Sequence, residues 1–177
     1  MLMPILIVVA AVIVVFIVIV AAQSAQFTVV RSTKMAAPPE KIFPHVNDLH
    51  NWEAWSPWAK LDPNAKNSFE GAASGVGAAM AWTGNCKVGV GRMAITDSRP
   101  NESIRFRLDF EKPMKATNTA EFTFKNAGGQ TIVTWSMAGQ KNFVGKFFHL
   151  FMSCDQMIGG QFEKGLAAIK SIVEAAK

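Results

Sequence analysis

The sequence predicts an α+β domain preceded by one transmembrane helix, and three observations carry that prediction. Residues 1–22 hold no formal charge and are nearly all apolar, residues 104–137 alternate apolar and polar side chains, and from residue 143 onward apolar positions recur every three or four residues. A period of two marks strands with one covered face, whereas a period near 3.6 marks a helix with one apolar stripe. All 18 Lys and Arg and all 13 Asp and Glu lie from Arg31 onward. About 150 residues follow the apolar run, a normal size for one domain with one core. The expected organisation is an anchor over residues 1–25 and a single domain over residues 26–177.

The run MLMPILIVVAAVIVVFIVIVAA makes a helix roughly 33 Å long at about 1.5 Å per residue, enough to cross a hydrocarbon core of about 30 Å. It lacks a basic n-region and exceeds the usual apolar stretch of a secretory signal, which favours a retained single-pass anchor. Cleavage among the small residues Ala22, Ser24 and Ala25 is the alternative. Arg31, Lys34 and Lys41 all follow the span, so the positive-inside tendency favours a cytoplasmic domain, while an export route gives the opposite side.

Residues 26–35, QFTVVRSTKM, read as a strand leaving the membrane, and Pro38-Pro39 with Glu40 opens a short helix through Ile42, Phe43, Val46 and Leu49. Pro44 inside that helix should bend or shorten it. Residues 52–58, WEAWSPW, crowd three Trp into what reads as a turn. Then Ile104, Phe106, Leu108 and Phe110 alternate with Arg105, Arg107, Asp109 and Glu111; Ala120, Phe122 and Phe124 repeat the pattern; Val133, Trp135 and Met137 repeat it against Ile132, Thr134 and Ser136. Turn residues at Pro100-Asn101, Lys112-Pro113 and Gly128-Gly129 separate these runs, which predicts an antiparallel meander. Phe143, Phe147, Phe151, Cys154, Ile158, Phe162, Leu166, Ile169 and Val173 form one stripe of a long helix, with Gly159-Gly160 as the natural bend. That stripe needs the apolar face of the sheet as its partner.

The inventory of reactive groups is thin. His45, His50 and His149 show no metal-ligand spacing, and Cys86 and Cys154 form no CxxC pair, so no metal, cofactor or catalytic cysteine is indicated. The glycines of 71–77 match no phosphate loop and read as turn residues; Gly89 and Gly91 thin the sheet where it curves or where a ligand or helix approaches. A net charge of +5 with singly scattered Lys and Arg suits a surface beside an anionic leaflet, and no nucleic-acid motif is present. The 5 Trp and 13 Phe, with no Tyr, supply large rings that line an apolar cavity or simply fill a core.

Several motifs occur together in a familiar order: Arg31-Ser32, Ala37-Pro38-Pro39-Glu40-Lys41-Ile42-Phe43, Asp48-Leu49 and WEAWSPW, then Gly75-Val76-Gly77 with Ala81-Trp82, Leu108-Asp109-Phe110, Val133-Thr134-Trp135-Ser136-Met137 and Gly159-Gly160-Gln161-Phe162-Glu163. Over residues 29–170 the chain resembles the polyketide cyclase/dehydrase-type branch of the START-like helix-grip superfamily, SRPBCC. The resemblance implies a helix-grip fold: a seven-stranded antiparallel sheet curved around a long C-terminal helix, with a deep apolar cavity between them. It implies no catalytic residue, and Pro44 departs from the family's unbroken helix.

Anchor, aromatics and resemblance together point to a membrane-anchored protein that binds a lipid or other hydrophobic small molecule. The expected cavity lining is Trp55, Trp58, Trp82, Phe106, Trp135 and Met152, with Arg107 and Thr134 as polar contacts. One alternative is an enzyme of cyclase/dehydrase or hydrolase type in which Asn85, Thr134 or Asp155 positions water or a carbonyl; another is a non-catalytic module that binds a protein partner.

Overall fold

The residues that follow the apolar run fold into one sheet and its covering helices. The computed structural model describes residues 2–150 and 154–175. The elements are α1 (Leu2–Ala22), β1 (Gln26–Met35), α2 (Pro39–Asn47), a 3-10 turn (Leu49–Asn51), α3 (Trp52–Trp55), α4 (Pro57–Leu61), β2 (Lys66–Gly71), β3 (Ala78–Thr83), β4 (Val90–Arg99), β5 (Ser103–Lys112), β6 (Ala116–Asn126), β7 (Thr131–Gln140), α5 (Phe143–His149) and α6 (Cys154–Ala175). The strands form one antiparallel seven-stranded sheet in the order β1-β7-β6-β5-β4-β3-β2. Strands β1 and β2 therefore occupy opposite edges, and α2 to α4 carry the chain between them. With α6 across the sheet, this is the helix-grip fold.

The meander follows its hydrophobic parity. Phe106 pairs with Ala120, Phe122 with Trp135 and Met80 with Met93, so the inward residues of successive strands stand side by side on one face. The tight turn between β6 and β7 needs positive φ at both central residues, which Gly128 (64°) and Gly129 (84°) supply.

Pro44 shortens its helix as expected: α2 ends at Asn47, and Leu49 falls in the 3-10 turn. The WEAWSPW segment is not a turn but two single-turn helices, α3 and α4. Their position is fixed by indoles that satisfy carbonyls at the end of α2, where intrahelical partners run out. Trp55 Nε1 donates to His45 O at 2.8 Å and Trp52 Nε1 to Val46 O at 3.0 Å.

Helix α6 buries Phe162, Leu166, Ile169 and Val173, the spacing of a single stripe. Phe162 stacks on Trp135 at 4.0 Å and 9°, and Phe122 covers the other face of that indole at 4.6 Å. Gly165 lets the helix approach; a side chain there would meet Trp135 Cζ3, Pro57 and Trp55. Of the helix expected from residue 143, the described residues form α5 and α6, and Phe151 of its stripe lies outside the described residues. α5 packs on α1 rather than on the sheet, with Phe147 edge-on to Phe16 at 5.9 Å. Gly159-Gly160 does not interrupt α6. Gly159 instead leaves room for the Arg31 guanidinium.

That guanidinium ties β1 to α6. Arg31 Nε lies 2.6 Å from Glu163 Oε1 and Nη1 2.8 Å from Asp155 Oδ1. Hydrogen bonding from Arg31 holds the Asp155 carboxyl below its ordinary value of 3.8. A carboxyl depressed in the folded state contributes stability above its unfolded pKa and loses it as pH falls through the folded one. Asp155→Asn should therefore lower stability at neutral pH and converge on the parent in acid well below pH 3.8, as followed by denaturant melts. A constant difference down to pH 2 would show that the ion pair is not its source.

The core cluster runs from Val29 to Val173 and draws on no residue of α1. Residues 26–177 thus carry their own core.

Candidate functional site

Between the sheet and the short helices, the packing leaves a cavity of about 480 Å³, within the usual size of a small-molecule site. It forms where the covering layer is incomplete. The buried stripe of α6 covers β1 and β7, the Trp52 and Trp58 rings roof the middle, and the inner face of β2 to β5 lies under them. Its floor is Met80 and Trp82 of β3, Met93 of β4, Phe106, Leu108 and Phe110 of β5, Asn118 and Ala120 of β6, and Trp135 and Met137 of β7. Ala120 keeps the centre of this floor low. Gly91 makes room for the Trp82 ring, a neighbouring side chain rather than a ligand or helix.

The sequence-derived lining divides three ways. Trp58, Trp82, Phe106 and Trp135 stand together on the cavity wall. Trp55 is one layer deeper, 1% exposed and packed on Trp135 and Phe122, because its N–H is committed to His45. Met152 lies outside the described residues. Arg107 and Thr134 point to the opposite face of the sheet, since strand neighbours alternate. Arg107 Nε bonds Asp109 Oδ2 at 2.9 Å, and Thr134 Oγ1 lies 2.8 Å from Ser32 Oγ. Arg107 and Thr117 together hold the Asp109 carboxyl below its usual range.

The groups weighed for catalysis are equally occupied elsewhere. Asp155 belongs to the Arg31 cluster, Thr134 is on the outer face, and Asn85 shapes the β3–β4 loop, its backbone N–H donating to Asp62 Oδ2 and its side-chain oxygen accepting from the Lys87 N–H. The titratable side chains that do line the cavity are Glu53, Lys60 and Asp62. Glu53 and Lys60 are exposed at the rim, and Asp62 accepts from the Asn64 and Asn85 N–H groups. Among the described residues no three His, Cys, Asp or Glu converge as metal ligands would.

Two polar atoms of residues that line the cavity are themselves packed away from it. Trp135 Nε1 and Asn118 Oδ1 are buried and have no hydrogen-bond partner among the described residues. Asn118 was absent from the expected lining, although its parity with Ala120, Phe122 and Phe124 on β6 marks it as inward. The same parity argument finds Leu108, Phe110 and Met137, and the α6 stripe finds Ile158.

The antiparallel order places the start of β1, the end of β7 and the β5–β6 turn at one end of the sheet. Phe110 and Asn118 put part of the cavity there too. At that end Lys141 N–H donates to Ala25 O at 2.6 Å, Lys146 Nζ reaches Ala21 O at 2.9 Å, and Met114, Phe143, Val144 and Leu150 are exposed.

Comparison with known proteins bears on this geometry. The family model described as polyketide cyclase / dehydrase and lipid transport matches residues 26–174. The chain is similar to protein CV1439 from Chromobacterium violaceum, with TM-score 0.61 and 14% identity over 83% of this chain and 96% of that one. It is also similar to Ara h 8.0201, with TM-score 0.58 and 12% identity over 85% and 99%. A third similar structure is DynU16 from the dynemicin biosynthetic locus, with TM-score 0.58 and 13% identity over 85% of this chain and 48% of that one. These identities carry the fold alone. No curated protein matches the sequence.

Proposed function

The chain belongs to the polyketide cyclase/dehydrase and lipid transport family, and from that premise we propose that it is a membrane-anchored binding protein for a lipid or other hydrophobic small molecule. The observation that carries this reading is the aromatic- and Met-lined cavity of about 480 Å³. Its walls offer apolar contact area, and its titratable groups sit at the rim or are already bonded, which supports binding over catalysis.

Helix α1 supports the anchor. Its 21 residues reach about 32 Å at 1.5 Å per residue, and nearly every residue is exposed around its whole circumference, as lipid-facing residues are. Only three residues separate α1 from β1, so the domain sits directly on the bilayer with the α5 end towards it. The exposed Phe143, Val144 and Leu150 with Lys141 and Lys146 nearby suit that interface. The basic residues after the span favour the cytoplasmic face.

The test has two arms. The full chain should stay in the membrane fraction after alkaline carbonate washing. Residues 26–177, purified from the native host, should show a discrete added mass in native mass spectrometry. A clean apo mass, repeated after exposure to total lipid extract, would defeat the binding reading; release by carbonate would defeat the anchor.

A further inference from the structure

We propose that the end of the domain from which α1 leaves is a docking surface for an anionic lipid leaflet, one that residues 26–177 hold to by themselves, without the span. This deepens the membrane anchoring proposed above and rests on its geometry. One row of register pairs crosses the sheet at that end: Gln26 with Gln140, Asn118 with Gly139, Phe110 with Ala116, Lys112 with Val90, Val90 with Thr83, and Thr83 with Lys66. Antiparallel neighbours turn at alternate ends, so the β3–β4 and β5–β6 turns, the start of β2 and the β7–α5 connection all lie on the side of α1.

Six lysines gather there: Lys66, Lys87, Lys112, Lys115, Lys141 and Lys146. Among the described residues none of them forms an ion pair, whereas all five Arg lie on strands and are paired with carboxylates. The acidic residues beside the lysines are Asp62 and Glu111, and Asp62 already accepts from two backbone N–H groups. The turns at the opposite end, 72–77, 100–102 and 127–130, hold Glu102 and no Lys or Arg. Positive charge is thus concentrated and uncompensated on the one end that meets the membrane. Each Lys held at an anionic leaflet raises affinity about fivefold.

Apolar side chains on the same end take the domain into the leaflet rather than merely onto it. Met114, between Lys112 and Lys115 in the β5–β6 turn, is 41% exposed, and Phe143 and Val144 of α5 are 50% and 47% exposed. Helix α5 also lies along the span: Phe147 meets Phe16, and Lys146 Nζ reaches Ala21 O. Phe16 is six residues inside the end of the apolar span at Ala22, about 9 Å at 1.5 Å per residue. That is the depth, about 5–10 Å, to which interfacial helices bury their apolar face. Helix α5 and the Met114 turn are therefore two points of insertion, and the lysine stems carry their charges back to the headgroups. The cavity adjoins this end, since Ala65 precedes Lys66, Val88 follows Lys87 and Phe110 pairs with Ala116, and all three line it. A domain docked in this way holds the cavity rim against the headgroups.

Cosedimentation of residues 26–177 with vesicles of phosphatidylcholine, alone or mixed with phosphatidylglycerol, reads the docking. The mixed vesicles should bind at least about tenfold more tightly, and the difference should shrink as salt is raised. Replacing Lys112 and Lys115 together by Gln should weaken binding to mixed vesicles about twenty-five-fold, about fivefold for each lysine. Lys125→Gln, at the opposite end of β6, should leave it unchanged. Met114→Asn should weaken the part of the binding that survives high salt. On mixed vesicles amide exchange should slow in residues 113–116 and in α5, and not in the 127–130 turn, a readout that needs no variant. Thermal melts check that each variant is folded. No binding to either vesicle, equal affinity for both, or binding that the paired lysine substitution does not weaken overturns the proposal. The carbonate wash of the full chain keeps the two readings apart. Retention of the chain with no vesicle binding by residues 26–177 overturns the docking surface and leaves the anchor; release with vesicle binding intact overturns the anchor and supports the docking surface.

Discussion

Replacing Ala120 with Trp is expected to abolish ligand binding, by more than about a hundredfold, while the domain stays folded. Ala120 is 4% exposed and sits on the cavity floor between Phe106 and Met137, its partners on β5 and β7. A large ring grown from that Cβ takes its volume from the cavity rather than from packed side chains. The usual overpacking cost of about 1–3 kcal/mol is therefore largely avoided. Titration with 2-acetylnaphthalene and a thermal melt of the same sample separate the two effects. Ala120→Leu should give an intermediate loss, because it fills less of the space. Undiminished binding by a folded Ala120→Trp variant would place the ligand site elsewhere on the molecule.

Much of this architecture was legible because each strand wears its burial as parity. Ile104, Phe106, Leu108 and Phe110 on β5 face inward as their alternation requires, and the five floor residues of β5 and β7 share that parity. The same alternation already placed Arg107 and Thr134 on the outer face. Choosing them as polar contacts by residue type ignored their register, and the structure pairs them with Asp109 and Ser32 instead. Asn118 shows the converse: a polar residue at an inward parity position belongs to the cavity wall as its apolar neighbours do. Other features depend on contacts that no local pattern records. The depth of Trp55 is set by a hydrogen bond to His45, and α5 meets α1 through the edge-on contact of Phe147 with Phe16. A void is likewise a property of assembled layers, so aromatic content alone left cavity and filled core equally open.

Trp135→Ala should cost about 3–5 kcal/mol, the usual range for truncating a buried large aromatic, and lower Tm by on the order of 10 °C. The indole is 2% exposed and joins three layers: Phe122 from the sheet, Phe162 from α6, and Trp52, Trp55 and Trp58 from the short helices. Removing it opens the wall between cavity and core, and the rings on either side lose their stacking partner together. Thermal and urea melts of residues 26–177 measure the loss. Trp135→Phe retains the stack and should recover most of it, because packing depends on the ring and not on its nitrogen. An Ala variant costing no more than about 1 kcal/mol would show that the layers relax around the gap, and that the cavity wall is held by α6 and the sheet without this indole.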